Sequence, residues 1–314
     1  ILVAFIVQSF NNSSDLGLLV ASLSGFGAAA FKLLPAAQQV YQSFAMIKGN
    51  SSALSEILKL YEGDIDIGVT QNPNGNFVNY LELKNVSFNA DKKHILKDIN
   101  LKILKGQKVG FVGKSGAGKT TLLEILLGIN KKFEGKILID GKKIDNELGF
   151  DYLRSLNCYV PQDYSIFNDS IRNNLNLFND LDDDELLELL SLTNLKKYVL
   201  SLPNGLDSIV SHNSPLLSGG QKQRLLISRA IGSRRDIIYF DEGTSALDGI
   251  NEKEIMKQLA EDESKTIVMV AHRLRTLVDC DVIYVIDQGM IIQSGTYKQL
   301  SENSEIFKQL DNNE

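Results

Sequence analysis

Cysteine is scarce: Cys158 and Cys280 are the two in the chain, far apart and each beside an apolar run. Two isolated thiols form neither a metal-ligand spacing nor a disulfide framework, so they read as reduced cysteines packed beside strands in a cytosolic domain. An excess of basic charge is also missing. With 33 Lys and Arg against 39 Asp and Glu the net charge is −6, which excludes a nucleic-acid binder built on phosphate contacts. Internal repeats and low-complexity tracts are absent. The opening run, ILVAFIVQSF, has no Met and no basic flank, so it is not a signal peptide. It reads as the middle of a transmembrane helix, and the chain is expected to be the C-terminal part of a longer protein. Its 314 residues leave room for one large domain and a smaller segment.

Charge is nearly missing from the first sixty residues, where Asp15, Lys32, Lys48, Glu56 and Lys59 are all there is. Residues 16–34 (LGLLVASLSGFGAAAFKLL) contain Lys32 alone and match the ~20 residues that cross a bilayer. Small residues from Ser24 to Ala30 would allow close helix–helix approach in lipid. The competing reading is a buried helix of a soluble protein, which rarely runs so long without charge. The NNSSD turn at 11–15 lies on one side of this span and Lys32, Lys48 and Lys59 on the other, so the turn is expected outside and the remainder in the cytoplasm. Pro35 is expected to interrupt the helix, which then continues as an amphipathic extension to about residue 62. Residues 63–76, rich in Gly, Asn and Asp, read as a linker.

Beyond the linker, short β-branched runs (QKVGFVG, CYVPQ, DIIYFDE, TIVMVAH, DVIYVID) alternate with helical stretches, after two longer alternating strands, VNYLELKNVSF and HILKDINLKI. Such alternation predicts an α/β domain with a parallel-sheet core over 77–314.

Three segments carry chemistry. In GKSGAGKT, Gly113, Lys114, Ser115, Gly116, Ala117, Gly118, Lys119 and Thr120 satisfy the P-loop pattern between a strand and a helix that continues with Thr121. The glycines let backbone N–H groups converge on phosphates at a helix N-terminus. Lys119 would reach the β- and γ-phosphates, and Thr120 would ligate Mg²⁺. In IIYFDE a buried strand ends in two carboxylates, Asp241 to hold Mg²⁺ through water and Glu242 to activate the attacking water. Between them LSGGQ, Leu217 to Gln221, precedes a helical run.

These motifs together resemble the ABC ATPase family, over essentially all of Phe77 to Glu314. LSGGQ resembles its signature, Gln162 in YVPQD its Q-loop glutamine, SALD at 245–248 its D-loop, and His272 in VAHRL its switch histidine. The resemblance implies a P-loop NTPase of ABC ATPase type, with a parallel-sheet core, an antiparallel β subdomain and a helical subdomain, preceded by the last helices of an all-α membrane domain. It implies ATP and Mg²⁺ as cofactors, with Thr120, Gln162 and Asp241 around the metal and Glu242, Gln162 and His272 in catalysis. ATP would be sandwiched between the P-loop of one copy and Ser218, Gly219, Gly220 and Gln221 of another, so a dimer is expected. His94 and His212 carry no such motif.

Two positions depart from the family pattern. Ala90 stands where an adenine-stacking aromatic is usual, with Phe88 and His94 nearby, and Asn213 stands where a Glu is expected before the signature. The fusion of helix and ATPase, and the resemblance of IFNDSIRNNL (166–175) to the exporter segment after the Q-loop, imply an ATP-driven exporter or flippase of the membrane. The rival is a non-transport ABC ATPase. All motif residues being intact, a homodimer of half-transporters is expected; KLLPAAQQVYQSF resembles lipid-linked oligosaccharide and polysaccharide flippases, with lipid, peptide or drug export left open as the substrate class.

Overall fold

The computed structural model describes residues 16–62, 77–90, 93–163, 166–212, 214–241, 255, 264–271 and 274–311. The chain divides into two units, 1–69 and 70–314.

The first unit is a helix, α1 (Leu16–Glu62), of 47 residues. The interruption expected at Pro35 is not there. Proline removes one backbone donor and crowds one carbonyl, which a long helix absorbs without ending. Apolar side chains, Val20, Phe26, Phe31, Leu34, Phe44 and Ile47 among them, are exposed. Over all 47 residues they follow no single face, while in the second half Val40, Phe44, Ile47, Leu54 and Leu58 recur at the spacing of one helical stripe. Among the described residues no helix is long and apolar enough to cross a membrane. The side chains of residues 16–19, 21 and 22 fall outside that set, as does the helix expected over 1–10.

The second unit alternates strands and helices. It begins with β1 (Tyr80–Ala90), β2 (Lys93–Leu104) and β3 (Lys108–Val112), then α2 (Lys119–Leu126), β4 (Glu134–Ile139), β5 (Lys142–Ile144), α3 (Glu147–Leu156) and β6 (Asn157–Val160). There follow β7 (Asp169–Ser170), α4 (Ile171–Leu175), α5 (Asp183–Leu192), α6 (Lys196–Ser201), β8 (Ile209–Val210) and α7 (Gly219–Gly232). The last elements are β9 (Ile237–Asp241), β10 (Thr266–Val270), β11 (Val282–Asp287), β12 (Met290–Gly295), α8 (Tyr297–Asn303) and α9 (Glu305–Asp311).

Six strands form the main sheet in the order β12-β11-β3-β10-β9-β6, parallel throughout except for β12 on its edge. Both faces are buried, which is why these strands read as continuous apolar runs. Ile237, Tyr239, Val268 and Val270 pack on one side with Leu122, Leu123 and Leu126 of α2. Ile238, Phe240, Ile267 and Met269 pack on the other with Leu225, Leu226 and Ile227 of α7. A second, antiparallel sheet, β2-β1-β4-β5, sends Leu81, Leu83, Ile99, Leu101 and Ile137 into the α2 side. Helices α4 to α7 form the helical part, where the acidic residues 182–185 open α5: Asp182 caps it, in a reciprocal box with Glu185.

Candidate nucleotide-binding site

The glycine-rich loop turns out of the C-terminal end of β3 and into α2. Gly113 begins it at φ 156°, and a Cβ there would sit 2.1 Å from the Ile286 carbonyl oxygen, so only glycine fits beside β11. Gly118 caps α2 in the left-handed region, at φ 102°, with no side-chain cap bond to the helix. The first turn therefore presents its N–H groups at the loop, which is what an anion requires. Lys119 is buried, and its ammonium donates to the Gly113 and Lys114 carbonyls at 2.7 and 3.1 Å. Gly289, after β11, donates to the Ala117 carbonyl at 3.1 Å and accepts from Lys97 at 2.8 Å, tying the loop to β2.

The loop opens on a cavity of about 640 Å³. Ser115, Gly116, Gly118, Lys119, Thr120 and Thr121 line one side, Asp241 and Val270 the strand ends, and Lys93, His94, Lys97, Gln288 and Gly289 the other side. Among the described residues three lysines and a helix N-terminus face one carboxylate, a balance that suits a polyphosphate carrying a divalent cation. The Thr120 hydroxyl and the Asp241 carboxylate are hard oxygen donors in that same cavity, which fits Mg²⁺. Of the two side chains near the missing aromatic at Ala90, His94 lines the cavity and Phe88 packs on the core.

Asp241, at the end of β9, accepts a hydrogen bond from the Tyr159 hydroxyl at 3.1 Å. Burial first, and then that carboxylate, hold the Tyr159 phenol protonated well above its ordinary range. Nothing in the sequence singled Tyr159 out, because the partner lies on a neighbouring strand. Gln162 follows β6 and is exposed; it does not line the cavity. Glu242, His272, Asn213 and the SALD segment lie outside the described residues.

The signature residues sit at the start of α7 and likewise do not line the cavity. Ser218 caps α7: its hydroxyl oxygen accepts from the Gln221 N–H at 3.3 Å, while Gln221 Oε1 accepts from the Ser218 N–H at 2.8 Å. The serine O–H is not used in that box, and Gly219 and Gly220 occupy the first turn, where N–H groups lack intrahelical partners. Farther along α7, Arg229 is buried and donates to the Asn174 backbone and side-chain oxygens at 2.7 and 2.6 Å. Burial pulls its guanidinium down to about 10. This pair fastens α4, within the 166–175 segment, to the signature helix.

A glycine-rich strand-to-helix loop with a buried lysine, facing a carboxylate at the end of a nearby parallel strand, defines a P-loop nucleotide-binding domain. Residues 96–245 match the ABC transporter family. The chain carries that family's ATP-binding domain. It is 33% identical over 301 residues to the ATP-dependent lipid A-core flippase of Francisella tularensis subsp. holarctica (strain OSU18), covering 93% of this chain and 48% of the flippase. Against the mitochondrial iron–sulfur clusters transporter of Kluyveromyces lactis it is 38% identical over 228 residues, 71% of this chain and 32% of that protein. A bacterial Atm1-family ABC exporter solved with ATP bound superposes with a TM-score of 0.74 at 30% identity, over 84% of this chain and 47% of the exporter. The chain thus spans about half the length of these relatives or less.

Proposed function

We propose that this chain is the ATP-hydrolysing part of a membrane exporter or flippase half-transporter, which works as a homodimer with its ATP-binding domain in the cytoplasm. The observation that carries the reading is one cavity that joins Lys119 and Thr120 to Asp241. The P-loop N–H groups and Lys119 hold the β- and γ-phosphates. Thr120 and Asp241 would hold Mg²⁺, which would supply charge neutralisation at the transferring phosphoryl group, and Gln162, which does not line the cavity here, would join them only on moving towards it. Glu242 takes the proton of the attacking water, and His272 contacts the γ-phosphate. Ser218, Gly219, Gly220 and Gln221 complete the phosphate cage of the opposite copy through the serine O–H and first-turn N–H groups of α7.

Export is supported by the extent of the match to the flippase, which covers 93% of the chain and so runs well upstream of Phe77 into the α1 segment. The exposed apolar side chains of α1 also suit a bundle set in lipid. We place residues 16–34 in the bilayer and the rest of α1 below it, passing movement between the ATPase and the membrane.

The test is the complete chain, with its upstream segment, expressed alone and reconstituted in lipid. It should hydrolyse ATP with positive cooperativity, and Ser218→Arg should silence it. Inactivity until a second, different subunit is added would overturn the homodimer. Equal activity of a detergent-free, lipid-free preparation would count against the membrane placement.

A further inference from the structure

Tyr159 stands on β6 in register with Tyr239 on β9. Asp241 is two positions beyond Tyr239, and side chains two apart on a strand share a face. That face is the one covered by α2, since Tyr239 packs with Leu122, Leu123 and Leu126. Tyr159 thus approaches Asp241 diagonally across a parallel pair, from the same side of the sheet as the P-loop helix. Its hydroxyl donates to Asp241 Oδ2 at 3.1 Å. Asp241 lines the cavity and Tyr159 does not, so the tyrosine has access to the site through the carboxylate. A donor on one carboxylate oxygen limits how the group can rotate and leaves its remaining lone pairs for other partners.

We infer that Tyr159 is a positioning residue for the metal-associated carboxylate, fixing Asp241 and thereby setting how much Mg²⁺ the nucleotide site requires. The inference rests on the reading of the cavity as a Mg²⁺–ATP site. Phenylalanine would fill the same volume on β6, so the hydroxyl is the group in question.

The experiment compares the full chain with its Tyr159→Phe variant, measuring ATP affinity in EDTA and then across a Mg²⁺ titration. Outer partners of metal ligands typically change metal affinity 10- to 100-fold when removed. The Mg²⁺ concentration giving half-maximal enhancement of ATP binding should rise about tenfold, with affinity in EDTA and the melting temperature unchanged. Combined with Asp241→Ala, Tyr159→Phe should add nothing further. An unchanged Mg²⁺ dependence would overturn the inference, as would equal weakening with and without metal, since packing alone would produce that. If Tyr159→Phe fails to fold, the tyrosine is structural and the inference is also wrong. A wild-type chain that binds no ATP, or binds it indifferently to Mg²⁺, would overturn the reading of the site itself and the inference with it.

Discussion

The Lys119 ammonium lies 2.7 Å from the Gly113 carbonyl oxygen, folded back on the loop that β3 and α2 hold in place. A buried cation satisfied by carbonyl dipoles is ready to exchange them for phosphate oxygens, at which its charge is better matched. Lys119→Ala should therefore weaken ATP binding by at least about thirtyfold, since removing one partner of a buried charged contact costs roughly 2–5 kcal/mol. Equilibrium binding of a fluorescent ATP analogue reads this directly. Retained affinity would mean that the loop does not cradle the triphosphate.

Tyr239, in the middle of β9, is fully buried, and its hydroxyl finds no hydrogen-bond partner among the described residues. A buried, unpaired hydroxyl costs about 1–3 kcal/mol. Tyr239→Phe should leave stability unchanged or raise it by about 1 kcal/mol, and thermal unfolding of the variant should show no loss. A clear drop in melting temperature would reveal a partner for the hydroxyl.

Asp140 forms the turn between β4 and β5 with Gly141, both at positive φ, and its carboxylate accepts from the backbone N–H groups of Val78, Asn79 and Tyr80 at 2.7–2.9 Å. Partial burial raises its pKa, but the three donors outweigh that and hold it below the ordinary carboxylate value. Asp140→Asn tolerates the same backbone and removes the charge. It should cost about 1 kcal/mol at neutral pH, less than the ~1.5–3 kcal/mol usual for a charged acceptor because water screens a group this exposed. The folded carboxyl titrates below the unfolded value of about 3.9, so the difference is complete above that pH and disappears as pH falls through the folded value. Urea melts of both proteins at pH 7 and pH 3 test the sign.

Both cysteines are buried, as expected of thiols packed beside strands. Burial, aided by Asp281 and Asp279, pushes Cys280 up to about 12, and burial raises Cys158 as well. At pH 8 the folded Cys280 holds roughly a thousandth of the thiolate of an ordinary cysteine. Alkylation followed by mass spectrometry should leave it unlabelled until denaturant is added. Rapid labelling in buffer would show that the β10–β11 connection opens.

Sequence patterning exposed what depends on neighbours along the chain. The apolar runs of β3, β6, β9, β10 and β11 announce a sheet buried on both faces, and the GKSGAGKT and LSGGQ segments announce their loops by composition. What stayed hidden depends on partners far away in sequence. The strands β4 and β12 were not read because EGKILI and MIIQSG have weak alternation, and they are strands by virtue of pairing with β1 and β11. The contacts Tyr159–Asp241 and Arg229–Asn174 join residues 82 and 55 positions apart. The break expected at Pro35 failed for a different reason: proline's local preference is weaker than the continuity of a 47-residue helix.

The central proposal is that this domain hydrolyses ATP held between the P-loop and Asp241 at the end of β9, with Glu242 as the general base. The most direct measurement is steady-state turnover and nucleotide occupancy of the full-length protein carrying Glu242→Gln. Loss of a general base lowers the rate by about 10²–10⁴-fold. The account predicts that ATP still binds, that turnover nearly stops, and that the protein accumulates as an ATP-bound dimer. Near-normal hydrolysis in that variant would contradict it.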